Sequence, residues 1–216
     1  MDAFILWNKI LVFLIDAVGV CLGLWVFLSG TKNKLNRLFG WLIIFMILWV
    51  DFAFFARELA GRDNFLSLLY IKIAWTFTPL FFTFLYLLAI SIIKKETQYK
   101  ILTRLAVSAG VMVSLLVAFS SLVVADIVFR DFLLRIIYGK GMLPFLAIIS
   151  FLLVATLYPL IKEYLNAAID KRKKFEYFLI GLAIFYTANV IFNITLPIVF
   201  DITRLYFLGD YSTIIL

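Results

Sequence analysis

The sequence predicts an all-α membrane protein: a polytopic transmembrane helix bundle with six complete spans and the start of a seventh. Hydrophobic residues make up 65% of the 216 residues, and charged residues make up 15%. A soluble domain is about half apolar and about a quarter charged, so this composition is typical of a chain that lies in a bilayer. A spanning helix needs roughly 20 residues, which leaves no room for a large extramembrane domain.

Six apolar stretches are each long enough to cross the membrane as a helix. They are residues 4–28, 38–56, 65–93, 105–125, 142–161 and 178–200. A seventh apolar stretch begins near residue 209. Helices are expected because they satisfy their own backbone hydrogen bonds in lipid, and the alternating ten-residue strands of a barrel are missing from the sequence. Residues 1–216 are therefore predicted to form one transmembrane domain.

The first stretch is expected to remain in the protein as its first span. It is longer than the apolar core of a signal peptide, and it has neither a basic start nor a small-residue cleavage site. Cys21 is the only cysteine, so the sequence allows no internal disulfide and no cysteine-based metal site. We expect no cofactor and no bound metal.

The basic residues indicate the orientation of the spans. One set of alternate loops holds twelve of them: Lys32, Lys34, Arg37, Lys94, Lys95, Lys100, Arg104, Lys162, Lys171, Arg172, Lys173 and Lys174. The opposite loops hold six: Arg57, Arg62, Arg130, Arg135, Lys140 and Arg204. The richer side is cytoplasmic by the positive-inside rule, which places the N-terminus outside the plasma membrane. No basic face remains for nucleic acid, so the net charge of +7 is explained by orientation.

Two links between spans are long enough to form structure of their own. In the outer link, residues 126–141, the first ten residues are expected to form a short amphipathic helix at the membrane interface. In the inner link no helix breaker interrupts residues 162–176. The fifth helix is therefore expected to extend into the cytoplasm and end near the basic cluster 171–174. That cluster is interpreted as an orientation signal, with anionic lipid as the alternative ligand.

Three ionisable residues within the predicted spans are candidates for buried functional groups: Asp16, Asp51 and Lys72. Such residues are costly in lipid, and they usually face the bundle interior with a partner. The second span runs outward and the third runs inward, so Asp51 and Lys72 fall at a similar depth. We expect them to form a pair across neighbouring helices.

Polar residues also recur at helical spacing along the third and sixth spans. The third span has Lys72, Thr76, Pro79, Thr83 and Tyr86 on one face, and the sixth has Tyr186, Asn189, Asn193 and Pro197. Two interpretations stay open: interhelical hydrogen bonds that fix packing, or an outer cavity that takes a small-molecule or lipid ligand from outside. The candidate ligand-binding residues are Asp51, Lys72, Thr76, Tyr186, Asn189 and Asn193.

Several elements of enzyme chemistry are missing from the sequence. It contains no histidine, which excludes histidine metal ligands, a histidine general base and a phosphoacceptor histidine within these residues. The motifs GxxxxGKS/T, GxGxxG and GxSxG are also missing. Asp16 and Asp51 are the only candidates for an intramembrane aspartyl pair, and they are expected at different depths. We therefore expect no catalytic residue and no enzyme activity.

Several short segments, taken together, resemble a known family. They are 33–39 (NKLNRLF), Trp49, Trp75, 78–81 (TPLF), 194–197 (ITLP) and 205–213 (LYFLGDYST). This pattern is similar to the N-terminal seven-transmembrane region of bacterial sensor histidine kinases, and the resemblance covers nearly the whole chain. It implies an input domain for a two-component system, with a cytoplasmic kinase or response partner and a homodimer as expected partners. It supplies no catalytic residue.

The sequence departs from that pattern because the seventh helix is incomplete and every kinase motif is missing. Six spans would leave the C-terminus outside, whereas a completed seventh would return it to the cytoplasm. The chain is therefore interpreted as a piece of a longer sensor or as a product whose partner supplies the output. A small transporter or channel subunit is the main alternative, since buried Asp and Lys residues also mark ion pathways. A structural subunit of a larger membrane complex is the third.

Overall fold

The computed structural model is a bundle of long helices with one β-hairpin. It describes residues 2–130, 133–167, 169–200, 205, 208, 209 and 212. In chain order the elements are α1 (Asp2–Leu28), α2 (Lys34–Leu59), α3 (Asn64–Ile92), α4 (Lys100–Phe119), β1 (Val124–Arg130), β2 (Leu133–Tyr138), α5 (Met142–Asn166), α6 (Ile169–Asn189), a π-helical segment (Val190–Thr195) and α7 (Leu196–Phe200). Six helices are long and apolar enough to cross a membrane, so the predicted class is confirmed and the chain is a multi-pass membrane protein.

Polar caps fix where α2 and α3 begin. The side chain of Asn33 accepts a hydrogen bond from the backbone N–H of Leu35 at 3.0 Å. At the start of α3 the carboxylate of Asp63 accepts one from the N–H of Leu66 at 3.0 Å. Each cap satisfies an N–H group that has no partner within the first helical turn. Both helices therefore start directly after an Asn or Asp residue, which are residue types that favour the N-cap position.

The central helix of the bundle is α3, which packs against α2, α4, α5 and β1. Its side chains Phe81, Leu85 and Tyr86 are completely buried. The contact with α4 is close at Gly110, where a Cβ atom would overlap the hydroxyl of Thr83. That hydroxyl donates to the Pro79 carbonyl at 2.8 Å within α3. The polar face of α3 therefore serves packing at this level of the bundle.

The outer link folds as a hairpin, so the predicted amphipathic helix over residues 126–135 is wrong. Strands β1 and β2 pair antiparallel, with Ile127 opposite Ile136. These segments are rich in β-branched and aromatic residues, which favour strands when one face packs on a core. Val124, Ile127 and Leu134 provide that buried face. The fourth span ends at Phe119 and not at residue 125, because the chain enters β1 at Val124.

The hairpin lies over the turn that joins α2 to α3. Gly61 in this turn has a φ of +80°, a conformation that glycine adopts without strain. A Cβ atom at Gly61 would meet the ring of Phe129 at 2.5 Å. Gly61 therefore permits the positive φ of the turn, and its missing side chain leaves space for Phe129 of β1. In this position the hairpin covers the end of the bundle that the basic residues predict to be outside.

The predicted extension of α5 is also wrong. The helix ends at Asn166, and α6 begins at Ile169, so the basic cluster 171–174 belongs to the start of α6. Two hydrogen bonds from the Arg172 side chain stabilise this boundary between α5 and α6. Its Nε donates to the Ala167 carbonyl at 2.9 Å, and its Nη2 donates to the Leu165 carbonyl at 3.2 Å. These bonds satisfy carbonyl groups at the C-terminal end of α5, where a basic side chain is favourable.

Ion pairs join the loops at the predicted cytoplasmic end. Lys34 at the start of α2 contacts Glu96 at 2.6 Å, and Glu96 also accepts a hydrogen bond from Ser91 at 2.8 Å. Lys95 forms a second ion pair with Glu163 of α5. The three helices α2, α3 and α5 are thus connected by charges outside the apolar spans. The predicted seventh span, from near residue 209, lies mostly outside the described residues.

Candidate functional site

A cavity of about 100 Å³ lies beneath the hairpin, between α2, α3, α5 and α6. Most of its lining is apolar, and five aromatic side chains contribute to it: Trp49, Trp75, Phe82, Phe145 and Tyr186. Leu134 and Ile136 of β2 close the outer end. A concave, largely apolar space with a few polar groups is the usual form of a small-molecule site.

Ring contacts fix the aromatic walls. Trp75 contacts Phe145 with ring centroids 5.4 Å apart, and it contacts Tyr138 of the hairpin at 5.7 Å. On the opposite wall Trp49 meets Phe185 edge to face at 6.4 Å. Aromatic pairs in these geometries hold each other in place beyond the effect of simple burial. The cavity is therefore bounded by side chains from four helices and the hairpin that already restrain one another.

A chain of hydrogen bonds runs along the α6 side of the cavity. The Asn193 amide donates to the Asn189 side-chain oxygen at 2.9 Å. The Asn189 amide donates in turn to the Phe185 carbonyl at 3.0 Å and to the Ser212 hydroxyl at 2.8 Å. Ser212 donates to the Gly209 carbonyl at 2.6 Å. The cavity wall is thus bonded directly to the segment that follows α7.

Two lining residues of α2 lie at different depths of the cavity. Arg57 is two residues from the end of α2 and lies near the hairpin, whereas Trp49 is eight residues earlier on the same helix. Eight residues of α-helix span roughly 12 Å. Among the described lining residues Arg57 is the single charged one. The charged side chain of Arg57 therefore lies toward the hairpin end of the cavity, and Trp49 lies deeper in the bundle.

The structure brings together half of the predicted ligand-binding residues. Tyr186, Asn189 and Asn193 line the cavity. Lys72 and Thr76 do not belong to its described lining, and the Thr76 hydroxyl donates to the Lys72 carbonyl at 2.8 Å within α3. The Thr76 hydroxyl is therefore satisfied within its own helix, whereas Asn189 and Asn193 of the sixth span line the cavity.

The predicted pair between Asp51 and Lys72 is wrong. Asp51 faces α1, where it lines a groove together with Asp16, and among the described residues it has no ion pair with Lys72. The expectation that the two aspartates lie at different depths is also wrong. Residue spacing along α2 predicts depth but not which neighbour a side chain faces. The antiparallel packing of α1 on α2, with Gly19 against Ile47, decides that neighbour.

Asp16 and Asp51 line a groove between α1 and α2 that also contains apolar side chains. Its charged lining residues are Lys9, Asp16, Asp51 and Glu58. Lys9 and Glu58 form an ion pair at 2.9 Å. Asp16 and Asp51 therefore bring two carboxyl groups to one groove. The groove is separate from the cavity beneath the hairpin.

Sequence reasoning missed several residues of the cavity. Arg57 could have been found, because Trp49, Ala53 and Arg57 recur at intervals of four on one face of α2. From the sequence, Arg57 is counted only among the six basic residues of the outer loops. Leu134 and Ile136 could not have been found, since their place depends on a hairpin that was predicted as a helix.

Within the described residues, no three acidic or cysteine side chains come together as a group that could hold a metal ion. Neither family models, nor curated proteins, nor solved structures give a significant match to the chain. The features of the chain that bear on its function are therefore the cavity, its polar lining and the hydrogen bonds that join it to the rest of the fold.

Proposed function

We propose that the chain is a membrane-embedded sensory input domain for signal transduction, without catalytic activity of its own. The observation that carries the proposal is the cavity beneath the hairpin, whose α6 wall is hydrogen-bonded to Ser212. A ligand that enters from the outer side would contact this wall. Its binding would therefore act on Ser212, which lies beyond α7 in the chain.

The mechanism is a shift between two arrangements of the sixth span. Val190 and Asn193 line the cavity and belong to the π-helical segment. Such segments are rare and occur frequently at functional sites. A ligand that favours one arrangement of this segment changes the populations of the two states by its difference in affinity. The change reaches Ser212 through Asn189, and from there the chain that follows.

The orientation and the partners are part of the proposal. The N-terminus lies outside the plasma membrane, supported by the excess of basic residues in the loops at the opposite end. In this orientation the hairpin and the cavity lie toward the outer face of the membrane. We propose a cytoplasmic kinase or response protein as the output partner, in keeping with the sequence resemblance, and a homodimer as the functional assembly.

A small transporter or channel subunit is the second candidate, and the groove between α1 and α2 favours it. Asp16 and Asp51 line this groove within the apolar spans, and acidic residues in such positions mark proton and ion pathways. Transport would require this groove or the cavity to connect both sides of the membrane. The two candidates therefore differ in one measurable property, namely flux across the bilayer.

The sensory proposal is tested by measuring movement of the π-helical segment. Spin labels are placed at Leu69 of α3 and Ile191 of the segment, both partly exposed, in a Cys21→Ser background. We expect at least one compound from a series of small organic acids, alcohols and amines to shift the electron-spin distance distribution. The Ala53→Phe variant, which fills the cavity, should abolish the shift.

A label pair at Leu69 and Ile92, both on α3, is the matched control and should not respond. A series in which no compound shifts the first pair would contradict the sensory proposal. Proteoliposomes that carry the same compounds, protons or Na⁺ across the bilayer, with the flux lost in Asp51→Asn, would support the transporter in its place.

A further inference from the structure

Thr78 lines the cavity beneath the hairpin, and its hydroxyl is not bonded to its own helix. The hydroxyls of Thr76, Thr83 and Thr156 each donate to the carbonyl four residues earlier in the same helix, at 2.8 Å. Thr78 makes no such bond, nor any other side-chain hydrogen bond within the part of the chain that the structure describes. A threonine inside a helix turns its hydroxyl either to that carbonyl or away from it. The Thr78 hydroxyl is therefore available to a ligand in the cavity.

Two lining residues of the sixth span add further polar groups. The Tyr186 hydroxyl forms no hydrogen bond with any residue that the structure describes. The Asn193 side-chain oxygen is buried and, among the described residues, accepts no hydrogen bond, although the Asn193 amide nitrogen donates to Asn189. A buried acceptor without a partner is unfavourable, and a donor on a ligand would satisfy it.

The ligand that fits these groups is uncharged. Arg57, the single charged residue among the described lining residues, already has a partner within the protein. The groups that remain are neutral hydroxyls and an amide oxygen. An ion that enters such a lining loses its hydration without gaining a counter-charge, which is costly in an apolar site. A hydroxyl is the neutral group that both donates and accepts hydrogen bonds, so it matches the lining.

Aromatic rings surround the residues that carry the free hydroxyls. Thr78 precedes Phe82 by about one helical turn, so the two residues share a face of α3. Tyr186 follows Phe185, whose ring centroid lies 6.5 Å from that of Phe82 and 6.4 Å from that of Trp49. Both hydroxyl-bearing residues therefore belong to the level of Trp49, deep in the bundle. A ligand ring packs favourably on such rings in edge-to-face or offset geometry.

The volume limits the ligand to one ring. The space of about 100 Å³ compares with the roughly 10 to 15 Å³ that one enclosed water needs by the same measure. It therefore holds roughly seven to ten ligand heavy atoms. A whole phospholipid is far too large, whereas a single-ring alcohol has the right size.

We propose that the cavity binds a small uncharged aromatic molecule with one hydroxyl group, which bonds Thr78 and Tyr186 while the ring packs against Trp49. This inference rests on the proposed function of the cavity as a ligand site, and it names the ligand class. Tyr186 and Asn189 border the same space, so the bound ligand contacts the wall that is hydrogen-bonded to Ser212.

The test compares four probes that share one benzene ring. Tritiated benzyl alcohol, ethylbenzene, benzylamine and benzoate are equilibrated by dialysis with the full chain in phosphatidylcholine nanodiscs at pH 7. Uptake by empty nanodiscs is subtracted, and each dissociation constant refers to the concentration of the probe in lipid. This reference removes the different solubilities of the probes in the bilayer.

We expect benzyl alcohol to bind about fivefold more tightly than ethylbenzene, which has the same shape without the hydroxyl, because one net hydrogen bond supplies this ratio. The benzylammonium and benzoate ions should show no saturable binding. Equal dissociation constants for benzyl alcohol and ethylbenzene would overturn the proposal, and so would tighter binding of either ion.

Variants locate the contact with the hydroxyl. Thr78→Val and Tyr186→Phe each remove one hydroxyl with little change of shape, and the double variant should bind benzyl alcohol no better than ethylbenzene. Ethylbenzene should bind as before in all three variants. Thr76→Val is the matched control, because Thr76 lies on the same helix outside the described cavity lining. A double variant that keeps the preference, as Thr76→Val should, would overturn the assignment.

A second pair of variants tests the cavity even if the double variant does not fold. Ile149→Trp fills the cavity from a buried lining position, and Leu143→Trp adds the same ring at an exposed position of the same helix. Binding of benzyl alcohol should be lost only in the first. Binding that survives Ile149→Trp would show that the site lies elsewhere and would overturn the proposal.

The ligand class and the sensory function can fail separately. If benzyl alcohol binds with the expected preference but the distance between labels at Leu69 and Ile191 does not change, the ligand class stands and the sensory function fails. If another compound shifts that distance while benzyl alcohol shows no preference over ethylbenzene, the sensory function stands and the ligand class fails.

Discussion

At Gly110 a single missing side chain allows two spans to meet. The ideal Cβ position at this residue overlaps the Thr83 hydroxyl and lies 3.4 Å from the Pro79 carbonyl oxygen. Close helix contacts in membranes depend on small residues, because lipid supplies no hydrophobic force to drive the helices together. The hydroxyl of Thr83 is turned back onto its own helix and cannot move without losing its bond to Pro79.

We therefore expect Gly110→Ala to lower the free energy of unfolding by about 1 to 3 kcal/mol, as overpacking does in other cores. The measurement is reversible unfolding in mixed micelles. The loss should be smaller in a Thr83→Ala background, which removes the overlapping hydroxyl. Gly19→Ala is the control, since its Cβ meets only the flexible end of Ile47 at 3.2 Å. Equal losses at both glycines would contradict this explanation.

Among elements, the hairpin shows how strongly context decides structure. Its two strands satisfy each other's backbone groups, and one face packs on the bundle. Ile127 is 7% exposed, whereas its neighbour Val128 is 42% exposed. Neighbouring residues of a strand point to opposite faces, so these two β-branched residues differ mainly in what they bury.

Truncating the buried residue should therefore loosen the hairpin. We expect Ile127→Ala to lower stability by about 2 to 4 kcal/mol and to speed amide hydrogen exchange in β1 and β2. Val128→Ala should change either quantity little. Exchange measured by mass spectrometry distinguishes the two. If both variants behave alike, the hairpin does not pack on the bundle through Ile127.

The ion pairs between elements predict a pH dependence. Hydrogen bonds from Lys34 and then from Ser91 hold the pKa of Glu96 below its ordinary value of 4.5. Because the folded pKa is the lower one, this carboxylate stabilises the fold above about pH 4.5, and the contribution is lost as the pH falls through the folded pKa. The pair is exposed, so its contribution is about 0.2 to 1 kcal/mol.

Glu96→Gln should therefore lower the melting temperature slightly at pH 7, and the gap to the unmodified protein should be smaller at pH 3. Thermal unfolding at both pH values measures it. Glu176→Gln, at an exposed residue of α6, is the control and should show a smaller gap at pH 7. A Glu96 gap that is as large at pH 3 as at pH 7 would contradict the assignment.

For the whole molecule, the proposed orientation is the property on which ligand access depends. Cysteines are introduced at exposed Lys140, beside the hairpin, and at exposed Lys32, at the opposite end of the bundle, in a Cys21→Ser background. A membrane-impermeant maleimide should label position 140 in intact cells and position 32 only after permeabilisation. The reverse pattern would place the cavity on the cytoplasmic side and would contradict an external ligand.

Much of this molecule could be predicted from the sequence. Apolar stretches of sufficient length specify helices in lipid, since the backbone must satisfy itself there, and the six spans agree with the helices apart from the end of α4 and the extension of α5. The polar face of α6 was also visible, because Tyr186, Asn189 and Asn193 follow helical spacing and now line the cavity.

What only the tertiary structure decided is which side chains meet. Asp51 lines a groove with Asp16 and does not pair with Lys72, because the close packing of α1 on α2 sets the rotation of both helices. Likewise, the hairpin and Arg57 of α2 come together at one end of the cavity. Depth in a membrane follows from distance along one helix, which the sequence contains. Contact follows from the rotation and packing of several helices, which depends on all of them at once.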